Sequence, residues 1–128
     1  MRWLGIDYGQ KHVGLALSDT EGRLAFPERV LSGPPAEAIR EIIKIVRGQD
    51  IAIIVIGLPL GFDGKETEES AAVRAFADKL KAGVRIPIYF ENEILTTRMA
   101  EAAGGRSELS DASAAAIILQ SYLDKKTD

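Results

Sequence analysis

The chain has 128 residues, 46% of them apolar and 27% charged, with a formal net charge of -3, one histidine and no cysteine. Such a chain is long and apolar enough to fold as one domain, 1–128; the missing thiols exclude disulfides and thiolate metal sites, and a single imidazole excludes a zinc cluster, which leaves oxygen donors for any metal. The acidic balance excludes a general nucleic-acid coat, and with no leader or membrane-length apolar run the expectation is a cytoplasmic protein without a membrane partner.

The first readable unit is a β-hairpin over 4–19. Two apolar runs flank a turn-prone Asp7-Tyr8-Gly9-Gln10 link, which puts a carboxylate at the mouth of the hairpin. Strand alternation puts Asp7 on the face of Trp3 and Gly5, opposite Leu4 and Ile6. A third strand over 23–31 contains Pro27, which belongs at a sheet edge or a bulge. Ser32-Gly33-Pro34-Pro35 breaks the pattern, and a proline there opens a helix that buries Ile39, Ile42, Ile43 and Val46 and ends near Gly48.

Residues 51–56 form an unbroken apolar, largely β-branched run, the mark of a central strand covered on both faces. The spacing predicts an irregular loop over 57–65, at the strand end where open α/β sheets gather ligands. A helix over 66–81 follows, with Val73, Phe76, Ala77 and Leu80 inward and acidic residues in its first turn, where the dipole favours them. A fifth strand over 85–90 is interrupted early by Pro87. After Glu93, Thr96 or Thr97 caps a short helix over 98–103. The last helix buries Ala115, Ile118, Leu119 and Tyr122, and 124–128 reads as a frayed tail.

Three carboxylates stand at the ends of core elements: Asp7, Glu93 and Asp111. Asp7 has two readings, an Asx turn at its own strand end or a metal or phosphate site. Asp111 likewise is either a helix cap or a functional acid, because it continues the buried stripe one turn before Ala115. If folding brings the three together, their mutual repulsion calls for a divalent ion between them, and two-metal phosphoryl chemistry follows. Lys11 and Lys65 read as phosphate contacts or as solvated lysines. Trp3 and Tyr8 read as base-stacking rings or as core.

Taken together, Gly5-Ile6-Asp7-Tyr8-Gly9 with Val13-Gly14-Leu15-Ala16, Gly57-Leu58-Pro59-Leu60 with Asp63-Gly64, Leu95-Thr96-Thr97, and Asp111-Ala112-Ser113-Ala114-Ala115 with Ile118-Leu119-Gln120 resemble the YqgF (RuvX-like) family, in the family's order and over nearly the whole chain. The resemblance implies an α/β, RNase H-like fold: a five-stranded mixed sheet of order 3-2-1-4-5 with helices on both faces. It also implies a Mg²⁺- or Mn²⁺-dependent endonuclease with Asp7, Glu93 and Asp111 as catalytic, metal-binding acids; read from the residues themselves, Lys11, Lys65, Thr96, Thr97 and Arg98 are candidate nucleic-acid contacts, the two threonines being helix caps in the other reading.

The implied substrate is the 5′ end of pre-16S ribosomal RNA or a branched DNA junction, and a homodimer would suit a symmetric junction. Members carry Asp-Glu-Arg where this chain has Asn92-Glu93-Ile94, and His12 stands where arginine is common. Those departures motivate a noncatalytic nucleic-acid-binding module as an alternative. Gly5-Ile6-Asp7-Tyr8-Gly9 is also similar to the first phosphate loop of actin-like nucleotide-binding domains.

Overall fold

In the computed structural model, which describes residues 1–94 and 111–126, β1 (Arg2–Tyr8) lies at the centre of the sheet. It pairs antiparallel with β2 (His12–Ser18) and parallel with β4 (Ile51–Leu60). Outside these lie β3 (Ala25–Ser32), antiparallel to β2, and β5 (Ile88–Ile94), parallel to β4. The order is β3-β2-β1-β4-β5, a five-stranded mixed sheet as expected.

Side-chain alternation on β1 and β2 divides the core into two layers. Leu4, Ile6, Val13 and Leu15 face α1 (Pro35–Gly48) and α2 (Glu68–Lys81), packing with Ile42, Phe76 and Leu80. The opposite face is made of small residues and takes α3 (Asp111–Lys126), whose Ala115, Ile118, Leu119 and Leu123 pack on Ala16 and Val55. Each fully buried Leu or Ile contributes about 1.5–3 kcal/mol of transfer free energy, so both layers are needed to hold the sheet.

Glycine permits the close approach of α3. A Cβ on Gly5 would stand 2.7 Å from Leu119 Cβ and 3.0 Å from the Ala115 carbonyl oxygen. The space beside Asp7 that glycine leaves on β1 is therefore filled by a helix. Gln120 ties the same helix to the β2–β3 side: it accepts from the Ala25 N–H and donates to the Arg23 carbonyl, both at 2.9 Å.

Several boundaries differ from the expected ones. Asp7 and Tyr8 belong to β1, paired with Gly14 and Val13, so the link shrinks to 9–11. The third strand begins at Ala25 because the Asp19 carboxylate collects the Arg23 N–H at 2.7 Å and closes a turn first. Pro27 sits both on the outermost strand and beside a register shift opposite Leu15 and Ala16. β4 does not become a loop at Gly57: Gly57–Leu60 pairs with Glu91–Ile94 of β5, and since pairing with β1 stops at Ile56, Pro59 costs no ladder bond on that side.

α2 begins later than its periodicity suggests, behind a capping box in which Thr67 and Ser70 exchange side-chain and backbone hydrogen bonds. β5 starts only after Pro87 and runs on to Ile94, which makes Glu93 a strand residue. The expected frayed tail is helical as far as Lys126; Lys125 is ion-paired with Glu91 and Lys126 Nζ lies 4.7 Å from the Trp3 ring. The short helix over 98–103 lies outside the described residues.

Candidate active site

A cavity of about 380 Å³ opens beyond the carboxyl ends of β1 and β4, and Asp7, Glu93 and Asp111 all line it. Each is placed by a different element. Asp7 is the penultimate residue of β1, opposite Gly14. Gly14 has no side chain, which lets the backbone of Asp111 and Ala112 close over β2 at the start of α3. Glu93 pairs with Pro59, and its Oε1 lies 3.5 Å from the point that a Cβ on Gly57 would occupy. A Cβ at Gly57 would touch that carboxylate at ordinary contact distance and strike the Ile118 side chain at 2.5 Å.

Two more carboxylates line the cavity, Glu68 and Glu69 from the first turn of α2. Helix dipole alone accounts for acids at that position, so the sequence offered no reason to assign them to the site. The N-termini of α2 and α3 both reach the cavity, and their partial positive ends favour negative charge there. The remaining wall includes Tyr8, Gly9, Gln10, Pro59 and Val73. Tyr8 stacks on Phe76 with ring centroids 4.4 Å apart.

Glu91 is a third residue that sequence reasoning missed. It is only 6% exposed, and its Oε2 accepts from Ser121 Oγ and Lys125 Nζ, each at 2.7 Å. This staple joins β5 to α3 two residues before Glu93. The alternation of Glu91 and Glu93 on one face of a strand was the available signal, since an inward-facing acid must find partners.

Lys11 is exposed on the link that follows Gly9 and Gln10. Lys65 is exposed in the turn after β4, where the Gly61 N–H donates to the Lys65 carbonyl at 2.9 Å and the Lys65 N–H donates to Asp63 Oδ1 at 3.0 Å. Thr96, Thr97 and Arg98 lie outside the described residues. Asn92 is exposed. His12 Nδ1 is 3.0 Å from Ser32 Oγ on the neighbouring strand. Trp3 packs on the α3 layer beneath Lys126, which gives the ring a core role.

The donor chemistry of the cavity suits a hard divalent cation: its lining offers carboxylates and an amide, without imidazole or thiol among the described residues. The acids share the cavity without forming a finished cage, for no group of three or more His, Cys, Asp or Glu side chains among the described residues is close enough to hold an ion.

A sheet of order 3-2-1-4-5 with helices on both faces and acids at the carboxyl ends of β1 and β5 defines the RNase H-like class. The chain belongs to the RuvX Holliday junction resolvase family, whose model matches residues 1–125. Relatives in Maridesulfovibrio salexigens and Chloroflexus aggregans are 39% and 36% identical, over 96% of this chain in each case and 98% and 93% of theirs; each is named "Putative pre-16S rRNA nuclease". Family membership thus supports a nuclease function.

Among solved structures, the fold is similar to that of T. thermophilus RuvC in complex with a Holliday junction substrate, with a TM-score of 0.62 at 18% identity over 99% of this chain and 96% of that one. It is also similar to the fowlpox virus Holliday junction resolvase, with a TM-score of 0.54 at 12% identity over 98% and 99%.

Proposed function

We propose that this chain is a divalent-metal-dependent endonuclease that hydrolyses phosphodiester bonds in structured nucleic acid, and that its substrate is the 5′ end of pre-16S ribosomal RNA. The observation that carries this reading is the shared cavity of Asp7, Glu93 and Asp111, three acids from distant parts of the chain at the carboxyl edge of the sheet. The names of the curated relatives support the choice of RNA.

In this reading Asp7, Glu93 and Asp111 hold Mg²⁺ or Mn²⁺. When bound, the cation would neutralise the acids and the phosphate and would ease loss of a proton from the attacking water. Asp7 and Glu93 approach the cavity from two strands and Asp111 from a helix pressed onto β2, so their separations are set by the core. Lys11 and Lys65, on neighbouring connections of the same edge, neutralise flanking phosphates and orient the strand. Thr96, Thr97 and Arg98 are further nucleic-acid contacts in this reading. The enzyme acts in the cytoplasm, where its substrate would be made.

A second reading is favoured by the family description: cleavage of a branched DNA junction, with a homodimer presenting two cavities to two symmetric strands. One experiment separates the two. Purified protein is incubated with a pre-16S RNA precursor and with a four-way DNA junction across a range of Mg²⁺ and Mn²⁺, with Asp7→Asn as the control for contaminating nuclease. Cleavage of the precursor alone, lost with EDTA and in the control, supports the first reading; cleavage of the junction alone supports the second; no metal-dependent cleavage of either overturns both.

A further inference from the structure

The last two residues of β1 point to opposite faces of the sheet and meet the same cavity. Asp7 lies on the α3 side, while Tyr8 lies on the α2 side with its ring stacked on Phe76, the planes inclined by 29°. Phe76 is 3% exposed, so it supports Tyr8 from the core, and Tyr8, only partly buried, contributes its outer part to the cavity wall. Pro59 and, from α2, Ala72 and Val73 line the same cavity, as do Glu68 and Glu69 at the start of that helix. The acidic half is that of Asp7, Glu93 and Asp111, while the α2 half combines an aromatic and aliphatic wall with two carboxylates.

We propose that Tyr8 is the platform for one unstacked nucleobase of the strand being cut, with the adjoining phosphate directed to the acidic half. This rests on the nuclease reading and adds the form of the substrate that the cavity accepts. Glu68 and Glu69 bound the α2 side, where a phosphodiester would meet like charge. A nucleobase is neutral, and the amino groups on its edge donate to carboxylates.

A ring held by a buried neighbour loses little freedom when a base settles on it, and every base has a π-face to offer, so the platform is indifferent to sequence. It is not indifferent to pairing. A base must leave its stack to reach Tyr8, which costs least in a single strand or at a junction and most within a continuous duplex. The cavity therefore selects unpaired segments.

The test is binding of a short single-stranded RNA carrying one 2-aminopurine, beside the same strand with an abasic residue there, with Ca²⁺ as the cation so that affinity is read apart from turnover. The wild type should quench the 2-aminopurine and prefer the base-bearing strand about five-fold or more. Tyr8→Leu should weaken the base-bearing strand about 5- to 100-fold and leave the abasic strand unchanged, and Tyr8→Phe should bind as the wild type does.

Equal affinity of the wild type for both strands, or equal loss for both in Tyr8→Leu, overturns the platform and leaves the nuclease reading standing. Failure of the wild type to bind either strand also overturns the platform, while the nuclease reading stands or falls by cleavage of the precursor and the junction. Because the wild-type comparison needs no variant, the result does not depend on whether Tyr8→Leu folds.

Discussion

Gly14 on β2 lies directly beneath the backbone of Asp111, so close that a Cβ on Gly14 would overlap the Asp111 carbonyl group. The obstructing atoms are main chain at the start of α3 and cannot rotate away. A methyl group there must lift the first turn of the helix, and the Asp111 carboxylate moves with it. Gly14→Ala should cost about 1–3 kcal/mol in urea unfolding. Its cleavage rate should fall further than that of a variant equally destabilised at the far end of α3.

Metal binding has a readout that needs no substrate. A cation that binds only the folded chain raises its stability by about 2.7 kcal/mol when present at 100 times its dissociation constant. Titration with Mn²⁺ should therefore raise the melting temperature of the wild type. Asp7→Asn and Asp111→Asn should flatten the response and lower single-turnover cleavage by about 10²-fold or more. A melting curve that ignores Mn²⁺ would remove the three acids from metal binding.

The Glu91 staple predicts a difference between single and paired replacements. Lys125 is 67% exposed, so Lys125→Ala should cost only about 1 kcal/mol, and Ser121→Ala a similar amount. Glu91→Leu combined with Lys125→Met removes a buried carboxylate with its partner and should return stability close to that of the wild type. Denaturant midpoints of the three variants, each against the wild type, decide it.

Acid should weaken two turns before it reaches the core. Hydrogen bonds from the Arg23, Leu24 and Gly22 N–H groups hold the Asp19 carboxyl below its ordinary value, and the Arg74 guanidinium holds Glu66 below its own. In each case the folded chain prefers the charged carboxylate. The stabilisation is complete above the ordinary pKa of 3.8 for Asp19 and 4.5 for Glu66, and it is lost as pH falls through the lowered folded values. Urea midpoints of the wild type and Asp19→Asn should differ at pH 6 and draw together as pH falls below 3.8.

Lys11 and Lys65 should contribute charge rather than sequence preference. Lys11→Ala and Lys65→Ala should each weaken RNA binding about equally across sequences and reduce the slope of log affinity against log salt by about one. A variant with an unchanged slope does not neutralise a phosphate.

The sequence made the sheet legible because its strands are short apolar runs with sharp punctuation, whereas the helix that fills the space beside Gly5 was not legible there. It misled wherever local chemistry and tertiary pairing disagree. Gly57-Leu58-Pro59 reads as a turn by composition, yet β5 supplies a partner strand to its far end. Lys125 and Lys126 read as a solvated tail, yet Glu91 and Trp3 give each a partner that only the fold brings near.

The acids were legible as positions at the ends of elements. Their company was not. Glu68 and Glu69 belong to the cavity because α2 aims its first turn at the end of β1, a direction that no spacing within 66–81 encodes. Asp7, Glu93 and Asp111 line one space for a reason that was partly readable, since parallel β1, β4 and β5 must end on the same edge.

The irregularity at Pro27 bears on how copies of this chain can associate. An outermost strand is an invitation to a neighbouring molecule to continue the ladder, but β3 shifts register midway and lacks one amide hydrogen at the same point. Fusion of two sheets through β3 into a single larger sheet is thereby opposed, so association along that edge has to be built from side-chain surfaces.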